Sequence, residues 1–278
     1  MVCLSEHRHI VKDSQQYIRE IGTAIHAVTI PGAAYGKGRD QAVYIYAVSG
    51  GDPAVLNIVD PKNGEVISEL PLNGASNAWG VTVDPNGIVY VGTYTNASLY
   101  RYDPETNVVE NLGQPIPGEQ FIWRVCSDEN GCIYGGTYPG GKVFQYNPHT
   151  GTFRDYGQIV KGQQYARSIA VHRQKGYIGI GTNGAHLIEL DLVTGKRKEI
   201  ELPTKYREQT NVYDLNVVEN KLFARITRMN TLLVFDLNDM RLIDEIEHVD
   251  GLDVSTPDSN QNVYLVVNEK LHAYHLGS

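Results

Sequence analysis

Side chains that can stack on a ligand, hydrogen-bond to it or neutralise its charge recur along this chain about every 44 residues. Structural repeats usually have the same packing side chain at equivalent positions, whereas here the chemical group varies between repeats. That variation is typical of a shaped ligand site rather than of packing. The first series comprises His26, Trp79, Trp123, Arg167, Tyr213 and Asp250, with Arg124 beside Trp123; the second comprises Tyr94, Tyr138, Asn183, Arg228 and Asn268.

The chemistry of both series favours an acidic oligosaccharide, or another small polar ligand, as the partner. Tryptophan and tyrosine rings can stack on the apolar faces of sugar rings, and asparagine and aspartate can bond to hydroxyl groups. The arginines can each pair bidentately with a carboxylate or a sulfate. The predicted substrate-binding residues are Trp79, Trp123, Arg124, Asn183, Arg228, Asp250 and Asn268.

The same series contain the groups that β-elimination next to a uronate carboxylate requires. A base must remove the C5 proton, a cation must neutralise the carboxylate, and an acid must protonate the leaving oxygen. An imidazole or a tyrosine would be the base, an arginine the cation, and a tyrosine the acid. The predicted catalytic residues are His26, Tyr94, Tyr138, Arg167 and Tyr213, and neither a metal ion nor a cofactor is expected.

Alternatives to a catalytic site stay open at this point. Trp79 and Trp123 would have a packing role if they lie between neighbouring repeats, and the arginines would then form salt bridges. The chain would in that case be a non-catalytic module that binds a ligand or a protein partner. A calcium-dependent lactonase fits less well, because it would need Glu, Asn and Asp around its centre, where this chain has two tryptophans.

The repeats themselves read as sets of four short strands, and these must position the side chains. The second repeat predicts strands at 79–84, 88–94, 99–102 and 108–113, with alternating or β-branched residues separated by Pro- and Gly-containing turns. A turn after each third strand begins at Asp60, Asp103, Asn147, Asp191 and Asp236. Short strands repeated with a period of about 40–50 residues indicate the blades of a β-propeller.

The predicted fold is therefore all-β, a propeller of four-stranded antiparallel blades, with six blades in one domain that spans residues 1–278. The last repeat lacks a fourth strand. The segment from Tyr17 to Gly22 resembles a fourth strand without its first three, so we expect it to complete the last blade and close the ring. Residues 1–16 would be flexible or peripheral. Seven blades remain the alternative if the chain is a fragment.

Composition narrows the class of partner further. The net charge of −8 argues against a nucleic-acid or anionic-membrane surface, and no apolar run is long enough to span a bilayer. The first 30 residues contain no apolar core of a signal peptide. The sequence as written therefore predicts a cytoplasmic protein, or a secreted one whose signal peptide is absent.

A fold-level resemblance follows from the repeat pattern Trp-x-Val, Asp-x-x-Gly, Tyr-x-Gly-Thr-Tyr and Tyr-Asp/Asn-Pro, best seen at 79–104 and 123–148. The pattern resembles the broad superfamily of YVTN, quinoprotein-like and streptogramin-lyase-like propellers, and the architecture is similar to that of several polysaccharide lyases. The Trp-Phe-Thr-Glu and Asn-Lys-Ile-Gly-Arg motifs of streptogramin lyases are absent, as are the WD40 signatures. The resemblance implies a propeller, and no catalytic residue is carried over from it.

Overall fold

The computed structural model of the protein describes residues 29–38, 40–227, 229–251 and 254–277. Its first sheet is antiparallel and follows the order of the chain, which is the meander expected of one blade. The strands of this sheet are β1 (Gly32–Lys37), β2 (Val43–Ser49), β3 (Ala54–Val59) and β4 (Val66–Leu72). The predicted N-terminal strand at 17–22 and the peripheral segment 1–16 lie outside the described residues.

The second and third repeats form two further antiparallel meanders. The strands of the second are β5 (Asn77–Val83), β6 (Val89–Tyr94), β7 (Leu99–Asp103) and β8 (Val108–Asn111). The strands of the third are β9 (Phe121–Ser127), β10 (Ile133–Tyr138), β11 (Lys142–Asn147) and β12 (Thr152–Gln158). Tyr94 at the end of β6 pairs with Phe121 at the start of β9, and this contact joins the two meanders into one continuous sheet.

The remaining strands continue the pattern, with one helical turn between two of the sheets. The fourth meander contains β13 (Tyr165–His172), β14 (Lys175–Gly181), β15 (His186–Asp191) and β16 (Arg197–Ile200), and the helical turn is α1 (Thr204–Arg207). The fifth contains β17 (Val212–Val218), β18 (Lys221–Ile226), β19 (Thr231–Asp236) and β20 (Leu242–Ile246). A final hairpin pairs β21 (Asn262–Val267) with β22 (Lys270–His275). The prediction of several four-stranded antiparallel sheets is therefore confirmed.

The repeating turn after each third strand has one backbone geometry. The carbonyl oxygen of Asp60 accepts a hydrogen bond from the N–H of Gly64 at 2.8 Å, and the equivalent bond closes the turns that start at Asp103, Asn147, Asp191 and Asp236. The fifth residue has a positive φ in each turn, 76° at Gly64 and 60° at Met240. Glycine adopts that conformation at low cost, which explains why it recurs at this position.

The hydrophobic core lies between neighbouring sheets rather than inside any one of them. Val48 and Leu56 of the first meander pack with Val91 and Tyr100 of the second, and all four side chains are buried. The fourth and fifth meanders share a similar cluster. Sheets that pack face to face around a common centre bring their innermost strands together, and β1, β5, β9, β13 and β17 are neighbours in that order.

The only helical element within the described ranges is α1, which has four residues. Among these ranges, no helix has the length and apolar character needed to cross a bilayer.

Candidate functional site

Four of the predicted residues occupy the same unusual position in their inner strands. Between β5 and β6, Ala78 pairs with Thr93 and Gly80 with Gly92, so Trp79 is the extra residue of a β-bulge. The same one-residue shift in β9, β13 and β17 leaves Trp123, Arg167 and Tyr213 as the extra residues. A bulge re-aims the side chain of its extra residue. We call these four residues the bulge stack.

The bulge stack is one continuous column of planar groups. The Trp79 and Trp123 rings are stacked with centroids 4.6 Å apart and planes 16° apart. The Arg167 guanidinium lies 4.9 Å from the centroid of the Trp123 ring and 4.1 Å from that of Tyr213. The column therefore crosses four neighbouring meanders, and all four side chains remain partly exposed.

Close packing at the bulges depends on glycines in the second strands. A Cβ atom added to Gly136 of β10 would overlap the carbonyl oxygen of Ala166, the residue before Arg167. A Cβ added to Gly179 of β14 would meet the Val212 carbonyl oxygen, just before Tyr213. Absence of a side chain at these points lets the next inner strand approach.

Further aromatic rings extend the column outward. We define the aromatic arc as Trp79, Tyr94, Phe121, Trp123, Tyr138 and Tyr165. Tyr94 stacks on Trp79 at 4.4 Å, Phe121 on Trp123 at 5.1 Å, and Tyr138 on Tyr165 at 4.6 Å. The sequence interpretation placed Tyr94 and Tyr138 here but missed Phe121 and Tyr165. Their signal was their position two residues before Trp123 and Arg167, on the same face of the strand.

The two tryptophans have part of the packing role that the sequence left open as an alternative. Trp79 and Trp123 contact each other across neighbouring meanders, so their facing ring surfaces are occupied. Both rings nevertheless stay partly exposed at the end of the inner strands. They serve as a wall against which other groups are held, and Arg167 is one of those groups.

Arg167 differs from its neighbours in having no polar partner among the described residues. Its guanidinium carbon lies over the Trp123 and Tyr213 rings, and the hydrogen bonds and salt bridges of the described ranges do not include its side chain. Cation–π contacts use the face of the guanidinium and leave its N–H edge available. An arginine held in this way is prepared to pair with an anion.

Arg124, by contrast, lies against a carboxylate. Its Nε is 3.6 Å from Oδ1 of Asp214, so the pair connects β9 with β17 past β13. Asp214 is buried and Arg124 is about one-third exposed. Arg124 is thus oriented by Asp214, and a ligand would meet the pair rather than a single cation.

The other described residues of the two predicted series have different environments. Asn183 is exposed, and its backbone N–H donates to Gln163 Oε1 at 2.9 Å. Asp250 is exposed, and its Oδ2 accepts the Glu269 N–H at 2.7 Å beside the exposed Asn268. Contacts that join these three side chains to the bulge stack are not found within the described ranges. His26 and Arg228 lie outside the described residues.

Two tyrosines of the aromatic arc have perturbed acidity. Burial raises the pKa of Tyr94, although a hydrogen bond with Asn77 opposes the effect. Burial also raises the pKa of Tyr165. Removal from water disfavours the charged phenolate. Both hydroxyl groups therefore remain protonated at neutral pH and can donate a hydrogen bond or a proton.

Residues of β1, β5, β9, β13 and β17, together with residues 254–256, line a cavity of about 750 Å³. Trp79 and Arg124 lie at the end of this cavity that carries the bulge stack, and we call that end the mouth. The cavity is lined by residues within the segments 31–35, 79–83, 124–127, 169–171, 215–217 and 254–256. A channel with polar and aromatic groups at one end is the usual place for a ligand in a propeller.

Comparisons with known proteins place the fold but not the family. No protein-family model and no curated protein sequence matches the chain. Among solved structures, virginiamycin B lyase from Staphylococcus aureus is 14% identical, with 88% of this chain and 85% of that chain covered and a TM-score of 0.64.

Two further structures are similar over comparable lengths. The nidogen/laminin complex gives 12% identity, coverage of 79% of this chain and 80% of that chain, and a TM-score of 0.57. U3-55K gives 9% identity, coverage of 91% and 79%, and a TM-score of 0.67. At such identities the similarity concerns the fold alone. The chain has the β-propeller fold, as the repeat pattern predicted.

Proposed function

We propose that the protein binds an acidic oligosaccharide at the mouth and that Arg167 pairs with its carboxylate. The observation that carries this proposal is the Arg167 guanidinium, which is held between the Trp123 and Tyr213 rings. None of its N–H groups has a polar partner among the described residues. In a chain of net charge −8, such a group attracts an anion to one place.

A sugar is the class of ligand that the surrounding groups favour. Partly exposed tryptophan and tyrosine rings adjoin Arg167. The exposed side chains of Asn183 and Asn268 can exchange hydrogen bonds with hydroxyl groups of a longer ligand. Aromatic rings provide contact area at a low cost in conformational entropy. The alternative of a protein partner is supported less, because pairing with a single arginine suits one compact anionic group.

The proposal includes a ring of six blades. It is supported by the cavity, because segments from β1, β5, β9, β13, β17 and the stretch at 254–256 all line it. Residues on either side of positions 252 and 253 bond to β21, since the Asp250 N–H donates to the Val266 oxygen at 2.9 Å and the Ser255 N–H to the Tyr264 oxygen at 3.3 Å. We propose that this part of the chain is the inner strand of the sixth blade, and that the N-terminal segment at 17–22 supplies its fourth strand.

Catalysis by β-elimination is a separate question within the same proposal. Tyr94, with its raised pKa, suits an acid rather than a base, so elimination would depend on another base such as His26. Virginiamycin B lyase shares only the fold with this chain and adds no residue to the argument. Absorbance of an unsaturated uronate product is the direct test, and its loss in His26→Ala would identify the base.

Binding can be measured with the protein's own fluorescence. The chain contains two tryptophans, Trp79 and Trp123, and both belong to the bulge stack. We expect glucuronic acid to change this fluorescence in a saturable manner, and glucose to have little effect. Arg167→Gln should raise the Kd for glucuronic acid about 10- to 100-fold, since a charged hydrogen-bonded pair is lost.

Two further variants make this test specific. Arg167→Lys keeps the charge but loses the planar fork, so its affinity should lie between wild type and Arg167→Gln. Arg241→Gln is the matched control, since Arg241 is exposed and pairs with Asp239 elsewhere. Equal affinity of wild type and Arg167→Gln for glucuronic acid would refute the proposal.

A further inference from the structure

Among its described residues, the mouth has one unpaired cation beside a broad neutral surface, and this restricts the charge pattern of the ligand. Lys142 lies 3.6 Å from Glu119, and Arg124 lies 3.6 Å from Asp214, so each of these two cations has a carboxylate partner. Within the described part of the mouth, Arg167 is the cation without one. The six members of the aromatic arc carry no charge.

A second carboxylate over the aromatic arc would therefore lose water without gaining a partner. Desolvation of an unpaired charge costs far more free energy than the contact with an aromatic ring returns. A neutral sugar ring has no such cost, because it presents C–H groups to the aromatic surface and hydroxyl groups to water. The surface thus discriminates between neutral and acidic units next to the anchored one.

The position of the adjacent subsite follows from the strand. Tyr165 precedes Arg167 by two residues on β13, and both side chains contact the Trp123 ring, so they lie on the same side of the strand. Two residues of a β-strand span roughly 6.6 Å. That step is close to the length of one pyranose unit. Tyr138 stacks on Tyr165 at 4.6 Å, and Trp123 lies 5.4 Å from it, so the ring is held in place.

We infer that the ligand carries one acidic sugar flanked by neutral sugar, with the acidic unit on Arg167 and the neutral unit over Tyr165 and Tyr138. This inference rests on the proposed function and specifies its substrate class. A polymer of consecutive acidic units would bind no better than a single unit. Tyr165 is then a residue that determines specificity, through the gain in affinity from the neutral unit.

The experiment compares three probes by tryptophan fluorescence: glucuronic acid, a disaccharide of glucuronic acid linked to a neutral hexose, and a disaccharide of two glucuronic acids. For wild type we expect the neutral-extended disaccharide to bind about tenfold more tightly than glucuronic acid. The diuronide should bind no more tightly than the monosaccharide. The subsite is tested by the ratio of two Kd values in each variant: that of glucuronic acid divided by that of the neutral-extended disaccharide.

Tyr165→Ala should reduce that ratio from about ten to about one, and Tyr165→Leu, which keeps apolar volume, should give an intermediate ratio. The control Tyr44→Ala changes a half-buried tyrosine of β2 that is bonded to Asp40 and is not part of the aromatic arc, and it should leave the ratio unchanged. Near-ultraviolet circular dichroism verifies that each variant is folded.

The outcomes separate the two claims. If glucuronic acid binds through Arg167 but the ratio survives in Tyr165→Ala, the subsite is refuted and the proposed function stands. A diuronide that binds more tightly than the neutral-extended disaccharide also refutes the subsite. If glucuronic acid does not bind wild type, both claims are overturned.

Discussion

The inner strands of this propeller differ sharply between one side of the mouth and the other. In β5, β9, β13 and β17 the register shifts by one residue, and each shift presents a large planar side chain. β1 pairs with β2 without any shift, from Gly32 opposite Val48 to Lys37 opposite Val43, and it has Gly32 and Ala33 at the corresponding end. Four copies of the repeat therefore present a planar functional group at a β-bulge, and the first copy does not.

The scaffold and the ligand-binding groups of this molecule depend on different features of the repeat. The turns and the cores between sheets are the same in bulged and unbulged repeats, so they cannot account for the ligand-binding groups. The bulge is the distinguishing feature, since it re-aims one side chain without altering the pairing on either side. Two kinds of substitution test this difference. One kind prevents a bulged strand from packing, and the other removes one planar group at a time.

The largest effect is expected from a side chain at Gly136, which lies against the bulge that carries Arg167. In Gly136→Val the new Cβ would overlap the Ala166 carbonyl oxygen, so the contact between β10 and β13 has to open. We expect the free energy of unfolding to fall by at least about 3 kcal/mol, with a Tm lower by roughly 5 °C or more. Thermal unfolding followed by circular dichroism measures this loss.

Gly176 provides the control for that substitution. It lies in β14, where an added Cβ would first meet the end of the Leu192 side chain at 3.2 Å, which can move. Gly176→Ala should therefore change the Tm by much less than Gly136→Val. Similar unfolding temperatures for Gly136→Val and wild type would mean that close packing at the bulge is not required.

Much of the scaffold could be predicted from the sequence, because the same pattern of strand and turn residues occurs in several repeats. The predicted strands at 79–84 and 88–94 agree with β5 and β6 to within two residues at each end. Convergence of Trp79, Trp123, Arg167 and Tyr213 also followed from the repeat, since equivalent positions in a ring meet near one axis.

The bulges and the identity of their neighbours could not be read from the repeat. A register shift depends on how two strands pair, and nothing in the spacing of Trp79 or Arg167 distinguishes a bulged residue from a paired one. The pairing of Arg124 with Asp214 was missed for a similar reason, because it joins strands of two non-adjacent repeats. Both features depend on tertiary packing rather than on local pattern.

An intermediate effect is expected when one wall of the Arg167 sandwich is removed. Trp123→Leu leaves Arg167 in contact with Tyr213 alone, so the guanidinium is held less firmly and loses more conformational entropy on binding. We expect the Kd for glucuronic acid to rise about tenfold, measured through the fluorescence of Trp79.

The unbulged strand β1 provides the control for this variant. Tyr35 lies in β1 and is largely exposed, at 64% of its surface. Tyr35→Leu should leave the Kd unchanged, since its ring has no part in the bulge stack. A similar rise in both variants would show that the bulged and unbulged strands do not differ in ligand binding.

The smallest effect concerns the Arg124–Asp214 pair, which ties two bulged strands together behind the stack. Arg124 is about one-third exposed, so solvent screens part of the attraction, whereas Asp214 is buried. A double-mutant cycle of Arg124→Gln and Asp214→Asn should give a coupling of about 1 kcal/mol in the free energy of unfolding. The same cycle on the exposed pair of Arg241 and Asp239, with side chains 71% and 60% exposed, should give a coupling near zero. If the two cycles give equal couplings, the pair behind the stack is an ordinary surface contact, and the bulged strands are held by packing alone.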